Sequence, residues 1–258
     1  MKRKAGVLIF WLFLWQMTAW YIGRPVFLAG PWETLLALGR LAAGTEFWRA
    51  VQASAGRIGA GFFLAFLSGL FWGGLAYARP FFQDLLEPVI LLMKATPVAS
   101  FVILALLWAG AEQLTLIISF LVVFPMIYLN TLTGLQAADR QLLEMAQVFH
   151  VRRLPKLWQI YRPALAPYLS GACRIALGMS WKSGIAAEVI GTPEPSVGER
   201  LYMAKIFFET DELFAWTAAV VLFSYLFEKA VLALLCRAGI CEEECSKRRK
   251  REEQKPGE

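Results

Sequence analysis

Apolar residues in this chain are gathered into long runs, and the polar positions fall between those runs. The runs cover Val7 to Ile22, Ile58 to Ala78, Val89 to Trp108, Leu114 to Leu135, Tyr168 to Ile190 and Leu213 to Leu235. A helix needs roughly 20 apolar residues to cross the hydrocarbon of a bilayer, a length the first run falls a little short of and the others approach. Backbone groups in lipid must be satisfied within the segment, which leaves helices or closed barrels; runs of this length predict helices. The pattern therefore predicts an all-α, polytopic membrane helical bundle of about six transmembrane helices.

The intervening segments have their own patterns. Arg24 to Arg57 alternates apolar and polar residues, is broken at Pro25 and Pro31, and places Trp32, Phe47 and Trp48 at spacings suited to interfacial helices. A brief turn is expected at Ala109 to Gln113, and Gly191 to Glu212 reads as turn residues followed by a short amphipathic helix. The stretch from Asp139 to Gly171 is polar, basic and aromatic, and anything that docks outside the membrane should meet it. Within the runs, Gly69 and Gly73 form a GxxxG pair that lets two helix backbones approach closely. Pro97 interrupts the helical hydrogen-bond ladder near the start of the third run, and Pro125 and Asn130 lie inside the fourth.

Composition agrees with this picture. The chain has 258 residues, 58% hydrophobic and 18% charged, with mean hydropathy +0.51; soluble domains carry about a quarter charged residues. The net charge of +6 and pI of 9.2 would suit nucleic acid, but the basic residues stand at the ends of apolar runs, where they act as topology determinants. Arg152, Arg153, Lys156 and Arg162 mark the central loop as cytoplasmic, whereas Glu194, Glu199, Glu209, Asp211 and Glu212 mark the later one as external. Both termini are then cytoplasmic, in a multi-pass protein of a bacterial-type inner membrane. Three parts are expected: an N-terminal helix and outer segment at 1–53, a membrane bundle at 54–235, and a charged tail at 236–258 in which a basic run could touch anionic lipid or simply be solvated.

Familiar catalytic chemistry is missing. Cys236, Cys241 and Cys245 lack the paired spacing of zinc modules, and the chain's one histidine is His150, so no metal site is expected. Gly178 to Ser183 holds a lysine and a serine without the spacing of a phosphate-binding loop, and lies inside an apolar run. No hydrolase constellation can be built around His150, and the runs lack paired aspartates. The fifth run is the exception to apolarity: Arg174, Lys182 and Glu188 each cost at least ~2.5 kcal/mol at mid-depth, so they should face the bundle interior. Lys182 and Glu188 fall on roughly opposite sides of a helix and are not expected to pair. They serve either interhelical polar contacts or a solute path; Lys94 either lines such a path or snorkels to the headgroups.

The local motifs carry a resemblance. In order they are Ala95-Thr96-Pro97; Phe124-Pro125 with Asn130 and Gly134-Leu135; Leu142-Leu143-Glu144-Met145-Ala146; Ile160-Tyr161-Arg162-Pro163 through Pro167-Tyr168; Gly171-Ala172-Cys173-Arg174-Ile175-Ala176-Leu177; Trp181; Ala187-Glu188; and Ser196-Val197-Gly198-Glu199. Over about Ser54 to Leu235 this series resembles the type-1 ABC-importer permeases of the nitrate, sulfonate and taurine branch. The resemblance implies a non-enzymatic permease that pairs with a second copy of itself, with two ABC ATPase subunits that hold the ATP-Mg, and with an extracytoplasmic solute-binding protein. It needs no cofactor of its own and no nucleic acid.

The same resemblance places an ATPase-coupling helix at Leu143 to Phe149, with Leu143, Glu144, Met145, Ala146 and His150 in the motif. Met145 replaces the family's usual alanine, and His150 stands where glycine is usual, at a chain reversal that histidine tolerates better than most residues. Lys94, Arg174, Trp181, Lys182 and Glu188 would line the translocation path. An anion such as a sulfonate, taurine or nitrate would be drawn to Lys182 or Arg174, while a thiamine-precursor pyrimidine would stack on Trp181. An ion-coupled secondary transporter is the competing class, and it should show inverted repeats that this sequence lacks.

Overall fold

The computed structural model describes residues 2–23 and 27–237, and among these every regular element is a helix. The charged tail from 238 on, with Cys241 and Cys245, lies outside the described residues. Helix α1 (Lys2–Ile22) leads to α2 (Pro31–Ala42) and α3 (Thr45–Ala78), then α4 (Pro80–Ala95) and α5 (Val98–Gln136). After α6 (Arg140–Val148) and the short α7 (Arg153–Lys156), a five-residue π-turn at Leu157–Tyr161 runs into α8 (Arg162–Gly191), followed by α9 (Val197–Ile206) and α10 (Thr210–Arg237). Helices α3, α5 and α10 are long and apolar enough to cross a bilayer, with mean hydropathies of 1.7, 2.0 and 2.0. Ile9–Ile22 of α1 is a shorter apolar helix, and α8 spans 30 residues but carries the charges noted above.

Several boundaries differ from those the sequence predicts. Phe47 and Trp48 do not sit on a separate interfacial helix: α3 starts at Thr45 and continues unbroken through the second apolar run. Phe47 is buried against Trp216 of α10, ring centroids 4.9 Å apart. Helix α8 begins six residues before the expected Tyr168, because Pro163 falls in its first turn, where a missing N–H leaves no bond unmade. The third run is divided at Thr96-Pro97, where α4 ends in extended backbone and α5 starts. The expected outer turn narrows to one residue, Gly110, at φ 74° and ψ 176° within α5. Glycine takes that conformation without a β-carbon clash. The chain reverses there, since Val102 and Ala105 share a buried cluster with Leu114 and Ile118; in a straight helix Val102 and Ile118 would be about 24 Å apart.

The core is built where α3, α5 and α8 meet. Phe62, Phe66, Ile127, Tyr128, Leu169, Cys173 and Leu177 are buried together there. The GxxxG pair does what its spacing suggests: a β-carbon on Gly69 would lie 2.8 Å from Ile127 Cβ, and one on Gly73 2.7 Å from Thr131 Cβ. The two backbones approach to a distance that only glycine permits on the α3 side.

The segments expected on one side of the membrane meet at one end of the bundle. Arg40 of α2 pairs with Asp211 at 2.8 Å, Arg200 of α9 pairs with Glu46 at 2.6 Å, and Arg57 Nη1 donates to the Pro195 carbonyl at 3.0 Å. At the other end the Tyr77 and Tyr161 hydroxyls are 3.4 Å apart, so the end of α3 touches the π-turn.

Candidate functional site

Two regions hold the residues singled out from the sequence. The first is the polar connection between α5 and α8. Asp139 caps α6 by accepting from the Gln141 N–H at 2.8 Å. The helix closes with His150 at φ 49°: the His150 N–H donates to the Gln147 carbonyl at 3.2 Å, and the Val151 N–H donates to the Ala146 carbonyl at 2.9 Å. Those two bonds are the Schellman closure, whose left-handed residue is usually glycine. Histidine occupies it here, as its tolerance for positive φ allows.

Of the motif residues, Ala146 is 3% exposed and packs inward, Leu143 is half-buried, and Glu144 and Met145 face out. Glu144 Oε1 accepts from Arg140 Nε at 3.0 Å, one turn back on the same helix. The structure adds Leu142, Val148 and Phe149 beside Met145 of the expected coupling set. Leu142, Met145, Val148 and Phe149 are all exposed, and their spacing of three, three and one puts an apolar stripe on the outer face of a polar loop. The 3.6-residue period of those four positions is the signal that would have found them. Further along the same connection, Arg162 lies over the Trp158 ring at 4.6 Å and Lys156 over the Tyr161 ring at 5.9 Å, so the basic side chains stiffen the π-turn.

The second region surrounds α8. Glu188 is completely buried. Its Oε2 accepts from Ser54 Oγ at 2.7 Å and from the Gly198 N–H at 3.2 Å, and its Oε1 accepts from Thr115 Oγ1 at 3.2 Å, with Arg57 Nη1 4.0 Å away. Ser54 in turn accepts from the Val197 N–H at 2.9 Å, and Ser196 caps α9 by accepting from the Glu199 N–H at 3.0 Å. One carboxylate thus ties together α3, α5, α8 and the start of α9. Gly198 is required for this approach, because a β-carbon there would overlap Glu188 Cβ. A buried carboxylate needs such a set of donors to offset its desolvation. Sequence reading found Glu188 and missed Ser54, Arg57 and Thr115. Single hydroxyls on apolar helices carry no periodic signal; only the fold brings them together.

Trp181 is also inside the chain, 2% exposed and edge-on to Phe227 at 5.8 Å. Its ring faces protein, so the expected stacking surface for a pyrimidine is not open in this chain. Lys182 and Arg174 are exposed, on a stripe of α8 that also presents Gly171, Gly178 and Ala186. Lys182 and Glu188 do point apart, as their spacing requires. Lys94 is exposed in the last turn of α4. The five residues expected along a path therefore divide into exposed Lys94, Arg174 and Lys182 and buried Trp181 and Glu188.

Comparison with known proteins fits this geometry. Residues 59–235 match the model of the family described as binding-protein-dependent transport system inner membrane component. Over 226 residues the chain is 27% identical to the taurine transport system permease protein TauC of Escherichia coli (strain K12), covering 85% of this chain and 82% of the relative. It is 28% identical over 187 residues to the putative aliphatic sulfonates transport permease protein SsuC of Bacillus subtilis (strain 168), covering 72% and 67%. It is 24% identical over 163 residues to the nitrate import permease protein NrtB of Leptolyngbya laminosa, covering 62% and 58%. The family model spans more than half of the chain and takes in α6, Glu188 with its partners Thr115 and Gly198, and all of α10 but its last two residues: the protein belongs to the family of binding-protein-dependent transport system inner membrane components.

Proposed function

We propose that this chain is the membrane-spanning permease subunit of an ATP-driven importer for a small anion of the sulfonate, taurine or nitrate type. The observation that carries the reading is α6. It is a capped nine-residue helix, held between the long apolar helices α5 and α8, that turns an apolar stripe away from the bundle. An exposed Leu142, Met145, Val148 and Phe149 on a polar loop suits a groove on a partner protein. The partner is an ABC ATPase, with Leu143, Glu144, Met145, Ala146 and His150 setting the shape and charge of the docked helix. An extracytoplasmic binding protein delivers the solute at the opposite end, and a second copy of the chain completes the path.

In this reading six segments cross the membrane: α1, the α3 run, the limb of α5 before Gly110 together with the end of α4, the limb after Gly110, α8 and α10. Lys94, Arg174 and Lys182 present cations along the path, while Trp181 and Glu188 brace it from behind. The relatives' printed substrates support the anion, and the burial of Trp181 removes the feature that favoured a pyrimidine.

Glu144→Arg reverses the charge on the docking face and removes the Arg140 pair, which is exposed and contributes little to folding. In proteoliposomes with ATPase and binding protein, solute uptake should fall at least tenfold while ATP hydrolysis persists and the bundle remains monodisperse. Unchanged coupling would count against α6 as the docking element, and uptake driven by an ion gradient without the ATPase would restore the secondary-transporter class.

A further inference from the structure

The connection between α6 and α8 carries a second apolar surface, which the docking of α6 leaves unused. Leu154, Leu157 and Trp158 are 71%, 53% and 57% exposed. The Lys156 N–H donates to the Arg152 carbonyl at 3.2 Å, and the turn so begun runs on into the π-turn. Residues three and four positions after Leu154 return to its side of a helix. Cations are set among these side chains: Arg162 lies over the Trp158 ring and Lys156 over the Tyr161 ring. Arg152 is exposed, and neither Arg152 nor Lys156 forms an ion pair among the described residues. The sequence has no Asp or Glu between Glu144 and Glu188, so this stretch carries positive charge without an acid of its own to answer it.

One contact sets the depth of the surface. The Tyr161 and Tyr77 hydroxyls are 3.4 Å apart and their ring centroids 5.7 Å apart. Tyr77 stands one residue before the end of α3, where the second apolar run also stops. Tyr161 is therefore level with the place where hydrocarbon gives way to headgroups, a layer about 5–7 Å deep on each side of a bilayer. Leu157 and Trp158 precede Tyr161 by four and three residues, no more than about 6 Å of helix rise, and stay within that layer. Positive charge alone is enough to fix topology; it does not call for exposed leucines and a tryptophan on the same turn. A surface with both suits the boundary of an anionic leaflet, where apolar side chains enter the acyl region and cations meet phosphates.

We propose that the connection from Arg152 to Arg162 is a binding site for anionic phospholipid of the inner leaflet, with Leu154, Leu157 and Trp158 set against the acyl chains and Arg152, Lys156 and Arg162 at the headgroup phosphate. The lipid anchors the chain between the coupling helix and α8. This goes beyond the importer reading: it depends on the basic loop lying at the membrane and holds whichever solute is carried.

The test uses the full chain in lipid nanodiscs, with Cys236, Cys241 and Cys245 replaced by alanine and Leu157→Cys labelled with bimane, a small apolar fluorophore; Cys173 is fully buried and stays. Quenching is measured with acyl-brominated phosphatidylglycerol and acyl-brominated phosphatidylcholine mixed in varying ratio, which gives the relative association constant of the two lipids at the label. A cation beside an anionic surface is worth about fivefold in binding, so the constant should favour phosphatidylglycerol by about tenfold or more. The double variant Arg152→Gln with Lys156→Gln should bring the preference below about threefold. Raising salt from about 0.05 to about 0.5 M should lower it in the same direction without any further substitution. Quenching should persist when the ATPase is bound. A label quenched by neither lipid, a preference near one, or a preference unmoved by both the double variant and salt would overturn the proposal. Quenching abolished by the ATPase would overturn it too, and would assign the stripe to that partner. None of these results would touch the importer reading, which fails only if solute uptake proceeds without the ATPase.

Discussion

Glu188 is the residue on which four helices converge, α3, α5, α9 and its own α8. Removing its carboxylate leaves Ser54, Thr115 and the Gly198 N–H without an acceptor in a region closed to water. Buried donors stranded in this way are expensive, and Glu188→Ala should lower unfolding stability by roughly 3 kcal/mol. Glu188→Gln keeps an acceptor oxygen and the side-chain volume, so it should lose clearly less. Thermal unfolding in detergent would check the order: if Gln proved as damaging as Ala, the negative charge itself, with Arg57 beside it, would be what matters. His150 makes a different point. Its place in a motif that normally carries glycine was enough to anticipate a left-handed backbone, and φ 49° is what the fold adopts. The same closure at Phe208, φ 57°, was not anticipated, because phenylalanine gives no hint of it. There the Glu209 N–H to Ala204 carbonyl bond, 2.9 Å, ends α9 as the bond to Ala146 ends α6.

Among the helices, the close seam between α3 and α5 was readable because glycine spacing within an apolar run is a direct statement about backbone approach. Gly73→Leu should therefore be far more disruptive than Gly74→Leu one position on, since Gly74 has nothing within 4 Å of where a β-carbon would stand. Overpacking of this kind costs about 1–3 kcal/mol or more, and fluorescence-detected size exclusion should show Gly73→Leu aggregated and Gly74→Leu monodisperse. Helix ends were harder to read. Apolar run length marks what lies in hydrocarbon, and helices continue past it wherever backbone bonds and capping allow, as α3 does toward Thr45 and α8 toward Arg162. Arg174, Lys182 and Glu188 were legible as costly ions in an apolar run. Their division into exposed Arg174 and Lys182 and buried Glu188 depends on which neighbours α8 finds, and no spacing along one helix states that.

For the whole molecule, the end-to-end sorting of polar segments makes a topological prediction. The α2, α9 and early α10 contacts gather at one end and the Tyr77–Tyr161 contact at the other, so residues 147 and 209 should lie on opposite sides of the membrane. In a cysteine-depleted background, Glu209→Cys should react with a membrane-impermeant maleimide in intact spheroplasts, and Gln147→Cys only after lysis. Both side chains are exposed in the fold, so lack of reaction at 209 would reflect sidedness. Reaction of both, or the reverse order, would overturn the assignment of the basic loop to the cytoplasm.

Helix α8 leaves the π-turn and ends at the Glu188 cluster, 30 residues later. That is a lever about 45 Å long, and a tilt of 10° about its inner end would swing its far end by about 8 Å. No hydrogen bond survives such an excursion, so if α8 pivots, α3 and α5 must travel with it or the Ser54 and Thr115 bonds to Glu188 must break. The three helices then behave as one oar rather than as separate staves. The stroke would be felt at the joints that lack this bracing, Thr96-Pro97 and Gly110, where the chain is already bent.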